Sequence, residues 1–277
     1  MKALLDGDIF AYRTAAASEE TDETICLLRL DRSIREVLHV TQSDTYEIHL
    51  SGEGNFRYQL FPDYKAHRKD VVKPKWLQQC REYLVTNWNA KISNGCEADD
   101  TLGYSQTEDS IICSIDKDLL QIPGKHYNFV KEEWYNITYE GGMRHFYEQL
   151  LKGDRADGIP GVAGLGEKKA ARMLEGCETE QEMFDVCRGA YGDDELMYIY
   201  GSCLWIWRKE GDIWNPSELI GNSQLEQEPD QKWYSIMQKA EVIRQSMVPT
   251  EKERNGTPPD GDSLDITDLM KNDVAST

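Results

Sequence analysis

KALLDGDIF, residues 2–10, opens the chain with a short strand pattern, Lys2-Ala3-Leu4-Leu5, and runs straight into two acids, Asp6 and Asp8. SIICSIDKD, residues 110–118, repeats the arrangement: an apolar strand from Ser110 to Ile115, then Asp116 and Asp118. Open α/β sheets place their ligands outside the carboxyl ends of strands, so two separate strands deliver paired acids to one sheet edge. Two further strands are predicted, Thr45 to Ser51 and a weaker one at His126 to Val130. Between strands, Leu27, Leu30, Ile34 and Leu38 share a helical face within Thr24 to Val40, and Leu77, Cys80, Leu84 and Trp88 recur at helical spacing after Pro74. This alternation predicts an α/β fold with a mostly parallel sheet and flanking helices.

Past Gly141 the strand signal fades. Short amphipathic segments take over at Met143 to Leu151, Glu167 to Leu174, Gln181 to Arg188, Glu195 to Arg208 and Lys232 to Ser246. The expected organisation is an α/β core over 1–150, a helical part over 151–248 and a disordered acidic tail over 249–277, whose Leu264-Asp265-Ile266 is a weak candidate for partner binding. No apolar run approaches the roughly 20 residues of a membrane span, and the seven cysteines are dispersed with no CxxC. A soluble cytoplasmic protein with reduced thiols, no signal peptide and no membrane partner is expected.

The net charge of −19 opposes phosphate binding in general, but its distribution does not. From Asn55 to Lys91, eight basic residues face three acids, a local excess of +5. The acids form four clusters: Asp6 with Asp8, Asp116 with Asp118, Glu97 with Asp99 and Asp100 in CEADD, and Asp154 with Asp157 in GDRAD. A helix starting near Glu97 would set Glu97 and Asp100 on neighbouring positions of its first turn. A single Asp pair in a turn usually caps a helix. Nine acids gathered without cations would repel, which argues for bound metal, and hard oxygen ligands suit Mg²⁺ or Mn²⁺. Two such ions about 3.5 to 4 Å apart activate water and stabilise both oxygens of a phosphodiester displacement.

In NFRYQLFPDYKAHRKD, Lys65, Arg68 and Lys69 fall on one face if the segment is helical, where they would meet a scissile phosphate, with Tyr64 beside them to stack on a base. GDRADGIPGVAGLGEKKAARML sets Gly158, Gly161, Gly164 and Gly166 before a helix start carrying Lys168 and Lys169. This is a helix-hairpin-helix pattern, whose backbone amides can approach a phosphate, and it lacks the GK[ST] ending of a nucleotide P-loop.

Taken in order, LLDGD, NFRYQLFPDYKAHR, CEADD, SIDKDLLQI and GDRADGIPGVAGLGEKKA make the chain resemble the flap endonuclease and 5′→3′ exonuclease family from about Lys2 to Leu174, most like its compact bacteriophage members. The resemblance implies a PIN-like nuclease core with a helical arch near 53–75. It implies two Mg²⁺ or Mn²⁺ ions held by Asp6, Glu97, Asp99, Asp100, Asp116, Asp118, Asp154 and Asp157, with Asp8 and Asp100 nearer to supports. Lys65 and Arg68 match the family's phosphate-contacting pair. The loop from Gly158 to Gly166 would bind downstream duplex, with K⁺ between its carbonyls and phosphate. Expected partners are DNA with 5′ ends, flaps or nicks, RNA–DNA hybrids, and replication proteins at the acidic tail, for a monomer. One departure stands out: Gly52 occupies the place where relatives carry an acid, next to Glu53. Two other readings compete. LLDGD and GDRAD also resemble motifs of haloacid-dehalogenase-type phosphatases, and a DNA-structure binder could keep the fold without chemistry.

Overall fold

The computed structural model describes residues 1–222 and 231–247. The chain begins β1 (Lys2–Asp6), α1 (Gly7–Ala16), α2 (Glu23–Val40) and β2 (Thr45–Ser51), then passes a short α3 (Arg57–Leu60) to α4 (Leu77–Trp88) and β3 (Lys91–Ser93). Next come α5 (Ala98–Ser105), β4 (Ser110–Cys113), β5 (Gly124–Asn128) and β6 (Glu133–Ile137). The rest is helical: α6 (Tyr139–Lys152), α7 (Glu167–Met173), α8 (Glu180–Tyr191), α9 (Asp194–Leu204), α10 (Ser217–Asn222) and α11 (Gln231–Met247). The tail expected to be disordered lies outside the described residues.

All six strands join one sheet in the order β3-β2-β1-β4-β5-β6. Its first five strands are parallel and β6 pairs antiparallel with β5, so the mostly parallel α/β fold expected from the alternating pattern is present. β1 lies centrally because KALLD has buried side chains on both faces. Ala3 and Leu5 pack with Phe10, Leu30, Ile34 and Leu84 beneath α1, α2 and α4. Leu4, on the opposite face, joins Leu102, Ile112, Leu119, Ile122 and Ile206. A third cluster, with Phe146, Tyr147, Phe184, Tyr198 and Trp214 among its members, fills the helical part.

Three elements differ from the sequence-based expectation. β3 and β6 are additional strands, one only three residues long and the other a polar, half-exposed edge strand. The helix expected through Arg208 ends at Leu204, and Trp205 turns to extended backbone. The expected helix carrying Lys65, Arg68 and Lys69 is instead a 3₁₀ turn over Ala66–Arg68, with Lys65 in the left-handed region at φ 53°. No continuous helix spans 53–75: Pro62 follows α3, and residues 71–74 have no regular structure.

The early departure of residues 205–207 from the helix has a cause in the core. Arg57 and Asp100 are both fully buried and form a bidentate pair at 2.6 and 2.8 Å. Arg57 also donates through Nε to the Cys203 carbonyl and through Nη2 to that of Trp205, each at 2.7 Å. Asp100 in turn accepts from the backbone amides of Glu97 and Trp207. An extended segment therefore meets the donors and acceptors that a continued helix would have withdrawn. Breaking a buried pair from one side leaves an uncompensated charge, so Arg57→Met should cost about 3–5 kcal/mol in urea unfolding. Arg57→Met combined with Asp100→Leu should recover part of that loss, and two single losses that simply add would contradict this account.

Candidate active site

The carboxyl ends of β1, β2 and β4 open into a cleft of about 1040 Å³. Asp6 is the last residue of β1 and caps α1, taking the Ile9 amide on Oδ1 at 3.1 Å and the Ser114 hydroxyl on Oδ2 at 2.6 Å. Asp116 and Asp118 follow β4, with Asp116 Oδ1 accepting the Asp118 amide. Glu97 caps α5 in a reciprocal box with Asp100, which leaves Asp99 facing the cleft in the first turn. Asp154 and Asp157 come from the loop after α6, where Asp154 Oδ1 takes the amides of Ala156 and Asp157. Seven of the acids expected at the site therefore line one cleft: Asp6, Glu97, Asp99, Asp116, Asp118, Asp154 and Asp157.

Asp100 does not. All its acceptor capacity is used by Arg57 and two backbone amides, away from the cleft, so its expected place among metal ligands is corrected to structural support. Asp8 lines the cleft but is ion-paired with Arg81 and accepts the Ser51 amide. At the end of β2, a Cβ on Gly52 would collide with Asn94 and the Ser93 carbonyl, and Glu53 is exposed and absent from the cleft lining. Ser51 is the residue of that strand end that reaches the cleft.

Lys65 stands against the acids, its ammonium 2.6 Å from Glu97 Oε1 and 3.5 Å from Asp157 Oδ1. Arg68 lies 3.3 Å from Asp157 and is half exposed, and Lys69 lines the same cleft in the open. Tyr64 departs from expectation: its ring is buried at 1 % exposure, so it cannot stack on a base, and its hydroxyl bridges Glu97 and Asp157 instead. The exposed aromatic of the cleft is Tyr58, edge-on to Tyr64, whose place in NFRYQ did not set it apart from its neighbours. Lys73, Lys117, Lys152 and Arg155 add further positive charge around the opening.

The loop joining α6 to α7 carries the glycine pattern. Gly158, Gly161 and Gly164 all take positive φ, whereas Gly166, the cap of α7, has ordinary extended backbone. Gly161 has a steric reason as well, since a Cβ there would strike the backbone of Lys152 and Gly153. Asp157 O accepts the Lys65 amide at 2.9 Å, which ties this loop to the basic turn. Lys168 and Lys169 are exposed on the first turn of α7, and Lys169 reaches back to the Gly164 carbonyl.

Burial pushes Asp6 up to about 7, with Asp8 and Asp116 adding repulsion against the Ser114 hydrogen bond. Burial likewise pushes Asp118 up to about 7, helped by Asp116, Asp154 and Asp157. Asp99 is raised well above the carboxylate range by burial, then by Asp6 and Asp116. Glu97 is also buried, but Lys65 and Arg57 more than reverse the effect and hold it low. Asp118 Oδ1 is buried with no hydrogen-bond partner. An all-carboxylate donor set with an orphaned oxygen fits a hard divalent cation. Among the described residues no three His, Cys, Asp or Glu side chains stand close enough together to form a closed cation cage.

An open parallel sheet with acids converging beyond its strand ends, faced by a basic turn and a glycine-rich loop, defines a nuclease of the α/β class. Residues 2–149 match the family described as 5′-3′ exonuclease, N-terminal resolvase-like domain, and the chain belongs to that family. Flap endonuclease Xni of Shewanella putrefaciens is 30% identical over 190 residues, covering 61% of this chain and 72% of that protein. A 5′-3′ exonuclease of Mycoplasmopsis pulmonis is 24% identical over 206 residues, covering 66% and 68%. Among solved structures, a bacteriophage T5 flap endonuclease complex with DNA and metal ions shares the fold, with a TM-score of 0.58 at 15% identity over 88% of this chain and 99% of that one. T5 5′-exonuclease with bound zinc gives a TM-score of 0.60, also at 15% identity, over 89% and 99%.

Because Asp6 and Asp118 titrate near 7 in the fold and near 3.8 when unperturbed, the metal-free fold binds more protons than the unfolded chain between those values. Its stability therefore falls as pH rises through that window. A bound divalent cation stabilises the charged carboxylates, so the gain in Tm from Mn²⁺ over EDTA should be larger at pH 8 than at pH 5.5. Thermal unfolding at both values checks this, and an equal gain would contradict it.

Proposed function

We propose that the chain is a divalent-metal-dependent 5′→3′ exonuclease with flap-type endonuclease activity on DNA, hydrolysing a phosphodiester near a 5′ end to leave a 5′-phosphate and a 3′-hydroxyl. The observation that carries this reading is the meeting of seven acids, drawn from four separate segments, with Lys65 and Arg68 in one cleft. Asp6, Glu97, Asp99, Asp116, Asp118, Asp154 and Asp157 would hold two Mg²⁺ or Mn²⁺ ions. When bound, these supply Lewis-acid activation of water and neutralise charge on the attacking and leaving oxygens.

The chain's own groups do the rest. Lys65 and Arg68 place positive charge where the phosphate oxygens gain negative charge. Lys69 and Lys73 follow the backbone into the cleft, and the exposed ring of Tyr58 offers a base-stacking surface. The α6–loop–α7 unit acts as a helix-hairpin-helix that grips downstream duplex through loop amides and Lys168, with K⁺ at the loop carbonyls. Recognition through backbone and end structure extends to RNA primers paired with DNA. The acidic tail, outside the described residues, is proposed as a contact for replication proteins of a monomeric enzyme. The phosphatase alternative leaves Glu97 and Asp99, which line the cleft, and the glycine loop without a role.

Asp116→Asn should abolish cleavage of a 5′-labelled flap in Mg²⁺ or Mn²⁺ while binding in Ca²⁺ persists; unchanged turnover would remove Asp116 from the chemistry. Lys168→Ala with Lys169→Ala should make the salt dependence of duplex affinity shallower by about 1 to 2 in log–log slope. An unaltered slope would take α7 out of the DNA contact.

A further inference from the structure

Two buried glutamines stand behind the cleft, and the proposed chemistry leaves them unused. Gln121 is fully buried at the end of the 3₁₀ turn Asp118–Gln121, the turn that opens on Asp118. Gln149, 1 % exposed, lies in the last turn of α6, five residues before Asp154. Gly142 lets the two elements come close, since a Cβ there would collide with the Gln121 carbonyl. A buried amide is costly unless its donors and its acceptor are met, and here they are met in one direction. The Ile206 amide can only donate and the Leu204 carbonyl can only accept, so Gln121 turns Oε1 to the first at 3.4 Å and Nε2 to the second at 2.8 Å. Nε2 also donates to Gln149 Oε1 at 2.9 Å, which leaves Gln149 Nε2 to donate to Asp154 Oδ2 at 3.3 Å. Reversing either amide would set donor against donor and acceptor against acceptor. The backbone at 204–206 therefore fixes the polarity of the whole relay.

We infer that Gln121 and Gln149 are positioning residues for the cleft: their relay sets the rotation of the Asp154 carboxylate and its spacing from the Asp118 turn, and anchors both to residues 204–206. The inference rests on the reading of Asp118 and Asp154 as holders of a divalent ion, and it names what holds those acids in turn. A pair that merely filled the core would satisfy Leu204 and Ile206 and stop there. This one ends on a cleft carboxylate whose other oxygen, Oδ1, is already fixed by the amides of Ala156 and Asp157. With Gln149 on Oδ2, the carboxylate has lost its freedom to rotate. Arg208 adds a second brace, donating through Nη2 to the Gln121 carbonyl at 3.1 Å. The same stretch, through the Cys203 and Trp205 carbonyls, holds Arg57 and with it the first turn of α5. One segment thus braces acids from three separate parts of the chain.

The test is a Mn²⁺ titration by calorimetry without DNA, on the full chain and on Gln149→Met, Gln121→Met, the double variant and Phe184→Leu, a buried change in α8 that reports plain loss of packing. Gln149→Met, close in shape but without a donor, should weaken Mn²⁺ binding by about tenfold. Gln121→Met, one residue further back, should weaken it less, and the double variant should fall short of the product of the two, because much of the first effect passes through Gln149. Phe184→Leu should leave the Mn²⁺ constant unchanged. Raising Mn²⁺ should restore cleavage of a 5′-labelled flap by Gln149→Met, which a general loss of fold would not allow. Gln149→Asn, whose amide is one methylene too short, carries the same expectation if the Met variant does not fold. Wild-type Mn²⁺ affinity in the Gln149 variants, equal weakening in Phe184→Leu, or single effects that multiply in full would each overturn the relay and leave the metal site standing. If wild type binds no Mn²⁺ at all, the reading of the cleft falls as well.

Discussion

A fully buried arginine–carboxylate pair, Arg57 with Asp100, ties the acidic end of the sheet to the helical half of the protein. Such pairs are poor sources of stability, since desolvating both charges offsets most of their attraction. Their value lies in geometry. Arg57 engages both oxygens of Asp100 and two carbonyls, at Cys203 and Trp205, so a segment remote in sequence fixes the first turn of α5. That turn presents Glu97 and Asp99, and Asp100 holds the Glu97 amide directly. The position of two cleft acids therefore depends on how α9 ends.

Around this fixed turn the cleft is electrostatically frustrated. Asp6, Asp99 and Asp118 sit where burial and neighbouring charge favour the protonated form, a state a folding protein would ordinarily avoid. Glu97 escapes because Lys65 and Arg57 flank it. The fold tolerates the strain by anchoring its acids in short, well-bonded devices: a helix cap at Asp6, a capping box at Glu97, and a tight turn whose amides converge on Asp154. Local frustration of this kind is common where a ligand supplies the missing charge.

Much of this was legible from residue order alone. Strand-then-acid patterns at KALLDGD and SIICSIDKD announce both the sheet and its acidic edge, because β-strands advertise themselves through apolar runs and the repeat of paired acids after two of them exceeds what helix capping alone requires. The helical part was equally readable from amphipathic spacing. What stayed hidden depends on partners distant in the chain. Nothing in CEADD distinguishes Asp99, which faces the cleft, from Asp100, which faces Arg57. Nothing in PDYKAHR tells that Tyr64 is buried and that the basic run is a 3₁₀ turn, since aromatic and basic residues serve stacking faces and packed turns alike. β3 and β6 were missed because one is too short and the other too polar for a periodicity to register.

The crowding at Gly52 bears on how this site can change over generations. A carboxylate installed there would force Asn94, Ile92 or the Ser93 carbonyl to shift, because all three stand where its Cβ would lie. Position 51 is the neighbour whose side chain already reaches the cleft, though Ser51 Oγ also holds the Ala98 amide at the start of α5. Packing on the β3 side thus acts as a ratchet on the ligand count, and a lineage seeking a fuller acid set would have to trade a helix contact for it.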